Sequence, residues 1–185
     1  TQDIDDALYA EISSAGWTLF VAIADPTAYI VPASELHRDI IARGSSVYFH
    51  GDVLPMLPEE LSQDTCALSE GSDRPALVCK VAISDDGEVG ECEFIEAIVR
   101  SRGKLSYYGV ERYLSGQGSE LMSHATPLEA LYQVFRALRA HREFERHEPG
   151  ALGSPRRVRE RAGRELVRHE ARRGPRREQL AVRVA

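Results

Sequence analysis

The chain has 185 residues, 43% of them hydrophobic and 28% charged, with a formal net charge of −6. That length accommodates one domain with a sizeable core, with room for an appendage. The longest strongly apolar run, Trp17 to Ala24, falls far short of the ~20 residues a membrane-spanning helix needs, so no membrane segment is expected. No basic segment followed by an apolar one opens the chain, so a secretory leader is not expected. The first residue is Thr1 rather than Met, which predicts a portion of a longer product.

In chain order, Trp17 to Ala24 is rich enough in apolar and β-favouring residues for a buried strand, ended by Asp25-Pro26. Ser34 is placed to cap a helix over Glu35 to Ala42, and Gly44 to close it. Ser46 to Phe49 is a short strand. Leu54-Pro-Met-Leu-Pro58 is a constrained loop, because each proline lacks an N–H and biases its predecessor towards extended backbone. Ala76–Ser84 and Glu88–Ser101 flank Asp85-Asp86-Gly87, the signature of a hairpin. Thr126-Pro127-Leu128-Glu129 reads as a capping box with proline at the first helical position. The helix it opens is expected to present Leu128, Leu131, Tyr132, Phe135 and Leu138 on one face. Strands first and helices afterwards predict an α+β or mixed α/β fold.

The net charge conceals an asymmetry. Residues 1–138 hold 22 acidic and 9 basic side chains, a net of −13, whereas residues 139–185 hold 7 acidic residues and 14 arginines, a net of +7. From Glu145 to Ala185 only ten residue types occur, none of them aromatic. The chain therefore divides into a body over residues 1–144 and an Arg-rich, low-complexity tail over residues 145–185. Clustered arginine attracts phosphate, so one reading of the tail is an RNA-binding arm. A disordered extension is a second reading. Frame-shifted translation of high-GC DNA is a third, favoured by the abrupt change after His141.

Within the body, Asp3-Ile4-Asp5-Asp6 concentrates three carboxylates in four residues, beside the apolar stretch Ala7-Leu8-Tyr9. Adjacent acids repel unless a cation or protonation relieves them. Oxygen donors of this kind suit Mg²⁺ or Mn²⁺, which bind few carboxylates and keep waters for a phosphate substrate. Taken alone, the pattern is weak, because solvated acidic turns are commoner than metal sites. Asp25, before Pro26, reads as a turn residue accepting local N–H groups. The six histidines show no ligand spacing. Cys66, Cys79 and Cys92 are odd in number, thirteen residues apart, and form no CxxC pair. Neither a disulfide framework nor a zinc site is expected, and Cys66 and Cys79 read as small core residues. A reducing, cytoplasmic setting follows. No glycine pattern forms a nucleotide-cofactor fingerprint.

The ordered blocks add a second kind of information. Thr1 to Tyr9 followed by Val21 to Ile30 resembles the catalytic domain of the ribonuclease II / ribonuclease R family. The resemblance continues through Arg43-Gly44, Tyr48, Pro55 to Pro58, Leu61-Ser62, Cys66 to Leu68, Arg74-Pro75 and Lys104 to Tyr107, covering roughly residues 1–140.

The resemblance implies hydrolytic 3′→5′ degradation of single-stranded RNA to nucleoside 5′-monophosphates with Mg²⁺ (or Mn²⁺), by an enzyme that is a monomer when intact. Asp3, Asp5 and Asp6 fall on the family's active-site aspartates, which hold metal and organise the attacking water. Asp5 is the residue expected to be indispensable. Tyr48 and Tyr107 fall on aromatic positions that contact RNA, a task suited to stacking because every base offers a π-face. From the residues alone, a strand tyrosine such as Tyr48 more often packs in a core, and Tyr107 covers a helix end. The family's aspartate motif begins before Thr1, and its catalytic domain continues well beyond the point where the tail begins. The resemblance thus implies the N-terminal part of such a domain, without its cold-shock and S1 neighbours, inactive by itself and marginally folded. The competing expectation is a non-catalytic protein that binds RNA or a partner through the basic tail.

Overall fold

Alternation of small apolar and polar side chains organises the body around one twisted sheet, seen in a computed structural model that describes residues 4–147 and 178–184. Strand β1 (Asp6–Ser13) turns back at Gly16 into β2 (Gly16–Ala24). Two longer strands, β5 (Asp73–Ile83) and β6 (Val89–Ser101), pair antiparallel with each other, and β5 pairs with β2. A last strand, β7 (Glu178–Val184), lies parallel to β6, giving the order β1-β2-β5-β6-β7. The mixed α/β architecture agrees with the sequence. Of the tail, residues 148–177 lie outside the described residues, so neither its disorder nor its frame-shifted origin is addressed there.

Between β2 and β5 the chain forms helix α1 (Glu35–Arg43), the short ribbon β3 (Val47–Phe49) and β4 (Asp52–Leu54), and a π-helical turn at Glu60–Thr65. The ends of α1 are those its sequence calls for. Ser34 Oγ accepts the His37 N–H at 3.1 Å, and Gly44, at φ 70°, ends the helix in the left-handed conformation glycine favours.

After β6 come α2 (Tyr107–Leu114), capped by Ser106 accepting the Gly109 N–H at 3.0 Å, and the long α3 (Ala125–His147).

Strand alternation gives the sheet two apolar faces. On one, Phe20, Ala22, Ala76, Val78, Ala97 and Val99 pack with Leu68, and Ile4, Ala7 and Tyr9 lean against them. On the other, Ala10 and Ile83 meet Ala130 and Val134 of α3, with Trp17, Leu19, Val81, Leu131 and Leu138 around them. The turn joining β5 to β6 is tucked beneath α3. Gly87 there has φ 83°, and a Cβ at this position would stand 2.2 Å from the Ala137 carbonyl oxygen, a distance no side chain tolerates.

Three expectations need correction. The residues Thr126 to Glu129 do not form a capping box, because a 3₁₀ turn at Met122–His124 runs directly into α3. Thr126 and Pro127 therefore lie inside the first helical turn, where proline forfeits no intrahelical bond. The buried stripe of α3 is also rotated. Leu128 is buried and Leu131 and Leu138 pack against the core, as expected. Ala130 and Val134, one turn apart, nevertheless bring the helix close to the sheet, whereas Tyr132 and Phe135 remain exposed with their rings 6.3 Å apart. Finally, Cys79 is only half-buried and its sulfur touches that of exposed Cys92, while Cys66 is a core residue as expected.

Candidate active site

The acidic segment enters the sheet at the start of β1. The Ala24 N–H donates to the Asp5 carbonyl at 2.8 Å, carrying the β1–β2 ladder one step beyond the strand. One residue earlier, the Leu68 N–H donates to the Ile4 carbonyl at 2.8 Å. The segment is thus fixed from both sides, by the end of β2 and by the buried Cys66-Ala67-Leu68 stretch. Asp5 and Asp6 are exposed, and Asp6 stands opposite Ile23 in the register. Asp3 lies outside the described residues.

A second acid approaches the same place. Asp25 follows β2, and its N–H donates to the Pro75 carbonyl at 3.0 Å. Its Oδ1 accepts the Thr27 N–H at 3.0 Å and the Thr27 hydroxyl at 2.5 Å, so this residue is the turn-builder its sequence context suggests. Asp25 and Asp5 both act electrostatically on Cys66. Burial first, then Asp25 and Asp5, push its thiol above the ordinary range, while Arg74 pulls it down. A nucleophilic role for Cys66 is disfavoured, since the thiolate is the reactive form.

Arg74 is the residue of this neighbourhood whose position the sequence does not disclose. Its Nε–H donates to the Ala67 carbonyl at 3.1 Å, and its guanidinium stands 4.0 Å from the exposed carboxylate of Asp64. It is the cation among Asp5, Asp25 and Cys66, and it braces the loop that holds Ile4. Only the fold brings residues 5, 25, 66 and 74 together, from four separate stretches of chain.

The two tyrosines are presented to solvent. Tyr48, in the middle of β3, is 74% exposed, and Tyr107, at the first position of α2, is 98% exposed. Neither packs in a core, the alternative that residue type alone allows for Tyr48. Beside Tyr48 the apolar surfaces of Phe49, Val53 and Leu54 are also open.

Among the described residues, no three His, Cys, Asp or Glu side chains converge to form a metal cage. Mg²⁺ needs no such cage: it takes one or two carboxylates, retains waters, and completes its shell with substrate phosphate. The oxygen donors of Asp5 and Asp6 fit that requirement, and no thiolate or imidazole competes in the acidic segment itself.

A curled, mostly antiparallel sheet backed by a helix, with exposed acids where its first strand begins, defines a mixed α/β domain with an acidic site. The model of the RNB domain matches residues 1–161, and the chain belongs to the RNB domain family. Ribonuclease R of Vibrio parahaemolyticus serotype O3:K6 (strain RIMD 2210633) is 40% identical over 154 residues, covering 78% of this chain and 18% of the relative. Exoribonuclease 2 of Mannheimia succiniciproducens is 50% identical over 121 residues, 62% of this chain and 18% of the relative. The structure of Mycoplasma genitalium RNase R in complex with double-stranded RNA superposes with a TM-score of 0.72 at 28% identity, covering 78% of this chain and 26% of that one. The chain therefore spans about a fifth of the length of the curated relatives it matches.

Proposed function

We propose that the chain carries the acidic part of the active site of an exoribonuclease that hydrolyses single-stranded RNA from its 3′ end and releases nucleoside 5′-monophosphates. The observation that carries this reading is the extent of the family match, residues 1–161. It takes in Asp3, Asp5 and Asp6 together with both exposed tyrosines. In this reading Asp3, Asp5 and Asp6 hold a divalent cation, Mg²⁺ or Mn²⁺, and Asp5 also orients the attacking water. The cation supplies charge neutralisation at the scissile phosphate and lowers the pKa of a bound water.

The bonds that anchor Ile4 and Asp5 hold the carboxylates at the strand end, so little reorganisation is needed when RNA arrives. Tyr48 and Tyr107 offer ring faces to successive bases, which grips RNA without regard to sequence. The net charge of −13 over residues 1–138 repels polyanions at long range, so a bound cation serves attraction as well as catalysis. These residues span about a fifth of the length of the curated relatives, and turnover is expected of the whole enzyme rather than of this stretch alone.

The test is a graft. Residues 1–144 replace the matching segment of the Vibrio parahaemolyticus ribonuclease R, and the product is given 5′-labelled single-stranded RNA with Mg²⁺. A ladder shortening from the 3′ end is expected, reduced by roughly 10²–10⁴-fold on Asp5→Asn. Equal digestion by a folded graft carrying Asp5→Asn would overturn the assignment. The isolated chain should digest nothing under the same conditions.

A further inference from the structure

The sulfurs of Cys79 on β5 and Cys92 on β6 lie 3.0 Å apart. The register pairs Cys79 with Phe94 and Val81 with Cys92, so the two cysteines are diagonal neighbours on one face of the sheet. Just beyond them the β5–β6 ladder shifts register between Val81 and Ile83, an irregularity that increases local twist. α3 covers Val81 and Ile83 on this face. It leaves Leu8, Ile23, Leu77 and Phe94 partly open, with Cys79 half-buried at the edge and Cys92 exposed. The Lys80–Glu93 ion pair, 3.8 Å long, stands on the opposite face and does not separate the thiols.

We propose that Cys79 and Cys92 form a reversible cross-strand disulfide, closed by exchange with a small-molecule disulfide of the glutathione type. A disulfide needs a sulfur separation of about 2.05 Å, so closure requires an approach of about 1 Å. Cys92, at the exposed end of the pair, has the freedom to make it.

The steps balance as ordinary thiol–disulfide exchange. The Cys92 thiolate attacks one sulfur of oxidised glutathione; a new S–S bond forms, the old one breaks, and one glutathione thiolate leaves. The Cys79 sulfur, having lost its proton, attacks Cys92 Sγ and expels the second glutathione thiolate. The two cysteine protons end on the two glutathione thiols, so two protein thiols are oxidised and one small disulfide is reduced. Burial and the neighbouring Cys92 push the Cys79 thiol up to about 12, which assigns the first attack to Cys92. Cys66, 3% exposed within the core, takes no part.

The experiment treats the whole chain with oxidised glutathione, then alkylates it under denaturing conditions and maps the peptides. The expected result is a fall from three alkylatable thiols to one, with a mass loss of two hydrogens and a Cys79–Cys92 cross-linked peptide. Excess reduced glutathione should restore all three. The Cys92→Ser chain, altered at an exposed position, should keep its circular dichroism spectrum and show no such loss of hydrogens. Three thiols after oxidation, a glutathione adduct that persists on Cys92 without closure, or a link through Cys66 would each overturn the proposal.

Discussion

The amide of Leu68 donates to the carbonyl of Ile4 at 2.8 Å, joining a side chain only 1% exposed to the residue directly before Asp5. Through this bond the core on one sheet face sets the position of the acidic segment. Leu68→Ala should cost about 2–5 kcal/mol, the usual range for emptying a closely packed leucine site. Urea unfolding of the two chains measures the loss, and hydrogen exchange at residues 4–6 should accelerate with it.

Gly87 and Gly51 separate backbone strain from collision. Both have left-handed backbone, at φ 83° and 88°, but a Cβ at Gly51 meets nothing within 4 Å, whereas at Gly87 it strikes the Ala137 carbonyl. Gly51→Ala should cost about 1–2 kcal/mol from conformation alone. Gly87→Ala should cost distinctly more, because the β5–β6 turn must move away from α3. Equal unfolding midpoints for the two variants would show that the turn is not held beneath the helix.

Asp73 and Arg100 form a two-pronged pair across β5 and β6, with contacts of 2.6 and 2.8 Å. The Arg100 hydrogen bonds hold the Asp73 carboxyl below its ordinary value, and the aspartate in turn raises Arg100. A carboxyl depressed in the folded state contributes stability that is fully present above its unfolded value of about 3.9. That contribution disappears as pH falls through the lower, folded value. Asp73→Asn should therefore lower stability modestly near neutrality, where an exposed pair contributes little, and leave it unchanged below the folded value. The acid limb of the stability profile flattens as a result, as thermal melts across pH 2–7 would read.

Tyr48 and Tyr107 should be separable from folding. Both are exposed, so Tyr48→Ala and Tyr107→Ala should alter stability by no more than about 0.5 kcal/mol. In the grafted ribonuclease each should weaken single-stranded RNA binding by about 1–3 kcal/mol, the scale of one stacked base. Fluorescence anisotropy at fixed salt measures it, and unchanged affinity in both variants would remove the tyrosines from the RNA path.

The features that proved legible in the sequence are those decided locally. Ser34 and Gly44 bound α1 because capping needs only a few neighbouring residues, and Asp85-Asp86-Gly87 makes its hairpin for the same reason. β1 escaped notice because Asp6, Glu11 and Ser13 interrupt its apolar residues, and pairing with β2 rather than composition makes it a strand. The burial of α3 depends on how closely Ala130 lets it approach the sheet, which no helix periodicity specifies. At the site, the clustered aspartates are visible in the chain, but their significance came from the family resemblance. Arg74 and Asp25 join Asp5 only after β2 and β5 pair, and the Cys79–Cys92 contact arises from a diagonal register across two strands.

The most direct test of the acidic site is divalent-metal uptake by this chain, measured as the electron paramagnetic resonance signal of free Mn²⁺ during titration. Asp5→Asn is the test variant, and Asp86→Asn, in the exposed turn between β5 and β6, is the control. An Mn²⁺ site displaced by excess Mg²⁺ is expected, weakened at least about tenfold by Asp5→Asn and untouched by Asp86→Asn. Equal uptake by the wild-type and Asp5→Asn chains would contradict it.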